Sequence, residues 1–239
     1  MSARIPTLGL IVPPGHGQVP QDGPMLYGER VRFIARGLGI AGVSPEGFAP
    51  VIDTVLDRAR ELRAAGAEAI SLMGTSISFY RGPEFTESLR RAMHEATGVP
   101  CTTMSHAIVA ALRRLGIRRV AVATSYIDEL NDKLVAYLTH AGFTVTAIEG
   151  MSIVGVQEVG EVSTEALVSL ATKVYARDPS ADGIFISCGG LLTLDAIRQL
   201  EAQLNVPVTA SSPAGFWDVV RLAGADARSA GFGRLFEAG

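Results

Sequence analysis

ADGIFISCGG, residues 181–190, repeats the pattern of AEAISLMGTS, residues 67–76. At an offset of 114, Ile184 falls on Ile70, Ile186 on Leu72, Cys188 on Gly74, Gly189 on Thr75 and Gly190 on Ser76. Both segments are short apolar runs that end in small or hydroxylated residues. Such runs read as strands covered on both faces and stopped by a turn. Two further pairs keep the same order: VPCTTMSH (99–106) with VPVTASSP (206–213) at an offset of 107, and LIVPP (10–14) with VATSY (122–126) at 112. Three strand ends recurring at nearly one spacing predict an internal duplication.

Working outward, apolar runs alternate with stretches of helical period. Strands are expected at 7–12, 30–35, 68–73, 118–123, 143–148, 183–187 and 206–209, and helices at 45–65, 83–97, 105–115, 127–141, 163–176, 193–203 and 213–223. Early prolines and caps mark several helix starts, among them Pro83-Glu84, Ser163-Thr164-Glu165 and Ser212-Pro213. Strand–helix alternation implies parallel, right-handed βαβ units. The expected fold is therefore α/β, with two pseudo-symmetric lobes, each a mostly parallel sheet flanked by helices, and an active site in the interlobe cleft. Lobe one is assigned to 1–113 plus 213–239 and lobe two to 114–212, the last helix returning to the first lobe.

Composition narrows the chemistry. With 21 Lys+Arg against 24 Asp+Glu, the net charge is −3, which does not suit a nucleic-acid binder. Hydrophobic residues make up 48% of the 239, ample for a core and too many for a disordered chain. The 2 cysteines, 101 and 188, make no disulfide scaffold and no zinc motif, and the histidines at 16, 94, 106 and 140 are scattered. The start, MSARIPTLGLIVPP, has too short an apolar run for a signal peptide, and no run is long enough to span a bilayer. A soluble cytoplasmic protein is expected, with no metal, no cofactor, no membrane or nucleic-acid contact and no protein partner implied.

In a parallel sheet, ligands sit beyond the carboxyl ends of the strands. The repeat puts Pro13-Pro14 and Gly74-Thr75-Ser76 there in lobe one, and Thr124-Ser125-Tyr126 and Cys188-Gly189-Gly190 in lobe two. None of these junctions holds a Lys, Arg, Asp, Glu or His. Backbone N–H groups and neutral hydroxyls on Thr75, Ser76 and Tyr126 suit a carboxylate. Cys188, before Gly-Gly, leaves its sulfur at the strand exit, whereas Cys101 falls on Val208 and reads as a small core residue. His16 reads as a surface loop residue, and Met73 and Trp217 as packing. Gly37-Leu38-Gly39 is a weak dinucleotide signal, and Walker A and Gly-x-Ser-x-Gly patterns are missing.

SLMGTS with SFYRG (71–82), PCTTMS (100–105), ATSYID (123–128), DGIFISCGGLLTLDAI (182–197) and SSPAGFWD (211–218) resemble the aspartate/glutamate racemase superfamily, and within it the arylmalonate decarboxylase family, across almost the whole chain. Racemases of that superfamily resemble two lobes with a cysteine at each matched junction; here those positions are Gly74 and Cys188. The resemblance implies a cofactor-independent decarboxylase acting on a small malonate with one aryl substituent. It implies Cys188 as the catalytic acid and Thr75, Ser76, Tyr126 and the Gly189 N–H as oxyanion donors. Pro14, Gly74 and Gly190 would line the site, and Ile40, Val43, Ile77, Val156 and Val159 would form an apolar pocket. The implied product is the R enantiomer of a 2-arylalkanoic acid.

The chemistry agrees with a single cysteine. A racemase needs a thiolate on one face and a thiol on the other. A decarboxylase needs no base, because loss of CO2 makes the carbanion, and needs one acid to protonate an enediolate from one side. A racemase or isomerase with another base, and a non-catalytic carboxylate-binding protein, stay open as alternatives.

Overall fold

A computed structural model describes residues 4–50 and 52–237. In chain order the elements are β1 (Thr7–Val12), α1 (Asp22–Tyr27), β2 (Arg32–Gly37), α2 (Pro45–Phe48), α3 (Val55–Ala64), β3 (Ala69–Leu72), α4 (Thr75–Phe79), α5 (Pro83–Thr97), β4 (Cys101–Thr103) and α6 (Met104–Arg114). They continue with β5 (Arg119–Thr124), α7 (Asp128–His140), β6 (Thr144–Gly150), α8 (Val156–Gly160), α9 (Thr164–Arg177), β7 (Gly183–Ser187), α10 (Leu194–Leu204), β8 (Val208–Ala210) and α11 (Ser211–Leu222).

The strands form two four-stranded parallel sheets, ordered β2-β1-β3-β4 and β6-β5-β7-β8. The orders superpose element by element, so the three matched sequence pairs are the matched strands β1/β5, β3/β7 and β4/β8. Both sheets have the expected α/β architecture. Every residue of β3 and β7 is buried, as helices on both faces require of an apolar strand without polar alternation. The outer strands β2 and β6 are half-buried, while the opposite edges, β4 and β8, are fully buried.

Those inner edges are covered by α6 and α11, which follow β4 and β8 and pack on each other. Helix α11 also reaches β3 and β4 of the first sheet and β7 and β8 of the second. It lies so close to the β3 end that a Cβ on Gly215 would come within 2.8 Å of Met73 Sδ and 2.7 Å of Met104 Sδ. Burying each such side chain contributes about 1.5–3 kcal/mol.

Two expectations need correction. The helix predicted over 45–65 is broken into α2, a 3₁₀ turn at Ile52–Thr54 and α3. Pro50 cannot donate a backbone hydrogen bond, so the helix cannot run through it; residue 51, within that stretch, lies outside the described residues. Strand β4 was not expected, because three residues, Cys101–Thr103, give no readable period. Short α1, α4 and α8 escape periodicity for the same reason. Among the described residues no helix is long and apolar enough to cross a membrane.

Candidate active site

The carboxyl ends of β3 and β7 lead into short segments, 73–74 and 188–190, that meet. A Cβ on Gly189 would lie 3.0 Å from Met104 Cε, 3.2 Å from the Met73 carbonyl oxygen and 3.7 Å from Thr75 Oγ1. The backbone after β7 thus runs against the backbone after β3, with the Thr75 hydroxyl beside it. Glycine permits this approach.

Cys188 directly follows β7 with φ of +151°, which few side-chain-bearing residues adopt. Its N–H donates to Ser211 Oγ at 3.2 Å, and its carbonyl accepts from the Leu191 N–H at 3.3 Å. Ser211 opens α11, so the last helix fixes the cysteine's backbone. The side chain is buried, at 6% exposure. Burial pushes the thiol up; the Ser125 hydroxyl, the Gly190 N–H and the Tyr126 hydroxyl pull the other way, and no charged side chain acts on it. The resting sulfur is a protonated thiol.

Tyr126, two residues past β5, is fully buried. Its hydroxyl accepts from Ser187 Oγ at 3.3 Å, and its ring meets Phe79 of α4 edge-on at 6.0 Å. Burial raises the phenol well above its ordinary value, the neighbouring Cys188 adds to this, and the Ser187, Thr75 and Ser76 hydroxyls oppose it. Tyr126 is therefore a neutral O–H donor next to Thr75, Ser76 and Cys188. The loop that carries it is clamped. Its N–H donates to Thr124 Oγ1 at 3.1 Å, Thr124 Oγ1 donates to Asn131 Oδ1 at 2.6 Å, and its carbonyl accepts from the Ser152 N–H at 3.2 Å. A Cβ on Gly150 would overlap the Tyr126 carbonyl and crowd Asn131.

Thr75 and Ser76 open α4 and are buried, and Thr75 Oγ1 makes no hydrogen bond among the described residues. Their N–H groups lie in the first turn, which has no intrahelical acceptor for them. Beneath them, Ser78 Oγ donates to the Thr75 carbonyl at 2.7 Å and lies 2.5 Å from Ser105 Oγ, and Thr86 Oγ1 donates to the Ser78 carbonyl at 2.6 Å. This hydroxyl chain holds α4 in place.

Val159 and Ile77 lie against glycines that follow the two strands. A Cβ on Gly190 would come within 3.0 Å of Val159 Cγ1, and one on Gly74 would overlap Ile77 and come within 3.3 Å of Pro13 Cγ. The Ile40 N–H donates to the Pro13 carbonyl at 3.1 Å. Val43, after β2, donates its N–H to the Val154 carbonyl, after β6, at 2.9 Å. Equivalent loops of the two sheets are thereby joined, with Val156 half-buried at the start of α8. Pro14 is half-buried, and its carbonyl accepts from the Gly17 N–H. Cys101 is engaged elsewhere, with Thr97 Oγ1 at 3.5 Å and the Val99 carbonyl at 3.4 Å. His16 lies exposed in its loop.

Sequence reasoning did not single out Ser125, Ser187, Ser211 or Gly150. The signal for Ser125 was its place in the Thr124-Ser125-Tyr126 junction; Ser211 had only its position after the matched strand β8.

The family model described as arylmalonate decarboxylase matches residues 8–236. The chain is 53% identical to arylmalonate decarboxylase of Bordetella bronchiseptica over 236 residues, 98% of each chain. It is similar to the crystal structure of a Gly74→Cys, Cys188→Ser variant of arylmalonate decarboxylase in a liganded form, with a TM-score of 0.95 and 52% identity over 97% of this chain and 99% of that one. It also resembles the maleate cis-trans isomerase of Nocardia farcinica bound to TRIS, at a TM-score of 0.88 and 25% identity over 97% and 98%.

Proposed function

The chain belongs to the arylmalonate decarboxylase family, and from that premise we propose that it is a carboxy-lyase acting on α-aryl, α-alkyl malonates. The product is a 2-arylalkanoic acid of R configuration, formed without a cofactor. The observation that carries the mechanism is the environment of Cys188: one buried, protonated thiol facing neutral donors, with glycine at the matched position of the other sheet.

One carboxylate of the substrate is held by Thr75, Ser76, Tyr126 and the Gly189 N–H. The other lies against Ile40, Val43, Ile77, Val156 and Val159, where its charge is poorly solvated and neutral CO2 is tolerated. The bond between the α-carbon and this carboxylate breaks, and its electron pair stays behind as an enediolate. Donors already in place stabilise the two oxygens as charge develops. Cys188 then gives its proton to the α-carbon, leaving a thiolate that regains a proton from water. Delivery from one face gives one enantiomer. Pro14, Gly74 and Gly190 line the remaining walls. We assign 1–113 plus 213–239 to one lobe and 114–212 to the other.

The test is incubation with methyl(phenyl)malonate, with CO2 release and chiral analysis of the acid. Release with a single enantiomer is expected. Absence of CO2 release, or full activity in Cys188→Ser, overturns the reading.

A further inference from the structure

β5 and β7 pair in parallel with Thr124 opposite Ser187 at their ends. One residue further, the same register sets Ser125 beside Cys188. Ser125 is held on both sides of its backbone: its N–H donates to the Ser187 carbonyl at 3.3 Å, and its carbonyl accepts from the Ile153 N–H at 2.8 Å. Its side chain is fully buried, and its Oγ has no hydrogen-bond partner among the described residues. A buried hydroxyl left unpaired is costly, so such an atom calls for a partner that the resting protein does not supply.

Two other serines near the cysteine already make a hydrogen bond. Ser187 Oγ donates to the Tyr126 hydroxyl, and Ser211 Oγ accepts from the Cys188 N–H. Ser125 Oγ is left, and its register neighbour is the sulfur. A thiol is a weak acceptor, whereas a thiolate is a strong one. We propose that Ser125 is a positioning residue for Cys188, its hydroxyl reserved to donate to the sulfur when the thiol has lost its proton. The inference rests on the reading of Cys188 as the acid. In the step itself, the Sγ–H bond breaks, the Cα–H bond of the product forms, and sulfur keeps the electron pair. The Ser125 proton stays on its oxygen and points at that pair until water reprotonates the sulfur. The hydroxyl also favours the charged form of the Cys188 sulfur more than any other neighbouring group.

The test compares Ser125→Ala and Ser125→Thr with the wild type. The pH dependence of iodoacetamide alkylation at Cys188, read at that residue by mass spectrometry, reports the thiolate without requiring turnover. Hydrogen bonds to charged groups contribute about 1.5–3 kcal/mol. Ser125→Ala is therefore expected to move the alkylation midpoint up by about one pH unit or more and to lower kcat at least about tenfold, with KM within about twofold. Ser125→Thr, which keeps the hydroxyl, should restore the midpoint. An unmoved midpoint overturns the proposal, as does a Thr variant that behaves like Ala. A raised KM with the midpoint unmoved would assign the hydroxyl to the substrate carboxylate instead. If the wild type releases no CO2 but the midpoint moves, the Ser125–Cys188 pairing stands and the decarboxylase reading fails.

Discussion

Ile77 occupies the space that a side chain on Gly74 would need: a Cβ there would overlap Ile77 Cγ2. Gly74 has extended backbone, φ −129° and ψ 108°, so packing rather than conformation excludes a side chain. Gly74→Cys, which would supply a second thiol, must displace a β-branched residue that is 1% exposed. Overpacking of this kind costs about 1–3 kcal/mol. The single variant is expected to have a lower melting temperature and slow α-proton exchange. Gly74→Cys with Ile77→Leu, which removes the branch at Cβ, should recover stability and exchange faster. Deuterium uptake at the α-carbon of 2-phenylpropionate, followed by NMR, measures this; equal exchange in both variants counts against Ile77 as the obstacle.

Cys188→Ala removes the proposed acid and leaves the donors intact. General acid catalysis contributes about 10²–10⁴-fold. Turnover on methyl(phenyl)malonate should fall by at least about 10²-fold, and the residual product should lose enantiomeric excess as water protonates either face. Retained enantiomeric purity would point to another acid.

The pH profile follows from burial. Cys188 must carry its proton to act, and burial pushes its thiol up. Tyr126 is shifted the same way, so it stays a donor. The rate should therefore hold through neutral pH and fall only above the ordinary thiol range, about 8.5. A profile of kcat from pH 6 to 10 that already declines below pH 8 would contradict a protonated resting thiol.

Gly150 is not among the residues proposed to hold the substrate, yet its missing side chain admits the Tyr126 carbonyl. Gly150→Ala should push the 125–127 loop outward and misplace the Tyr126 hydroxyl. A displaced donor of this sort costs about 10–100-fold in kcat. Steady-state kinetics, with circular dichroism to verify the fold, provide the check; a wild-type kcat would show that the loop tolerates the shift.

Asp22, 4% exposed in α1, is pushed up to about 6 by burial, and Ser212 partly offsets the shift. The unfolded chain ionises near the ordinary value of 3.8. Between those two pH values the unfolded state gains charge that the folded state resists, so stability falls as pH rises through 6. Asp22→Asn should remove the dependence, stabilising the protein at pH 7.5 by up to about 3 kcal/mol and by almost nothing at pH 4. Urea denaturation at both pH values decides it; an equal effect at each would rule out the ionisation.

The duplication was legible because strand ends carry it: β1/β5, β3/β7 and β4/β8 keep apolar runs and small residues in register. Cys188, Thr75, Ser76 and Tyr126 were legible because they close those strands. Gly150 and Ser125 were not, since their importance depends on which atoms lie opposite. Gly150 shows only when β6 is laid against the Tyr126 loop, and Ser125 only when β5 is paired with residues more than 60 positions away. The break after α2 was written in Pro50, but an amphipathic pattern on either side concealed it.

Helix α11 follows β8 in the chain, yet together with α6 it covers the inner edges of both sheets, and it supplies the oxygen that holds the Cys188 N–H. Domains generally begin folding from the N-terminus during synthesis. A nascent chain that has emerged through β8 thus carries every residue proposed to touch substrate but lacks the element that sets the cysteine. Catalytic competence therefore waits for α11, and a chain released before it lacks both the oxygen that holds the Cys188 N–H and one of the two helices that cover the inner sheet edges.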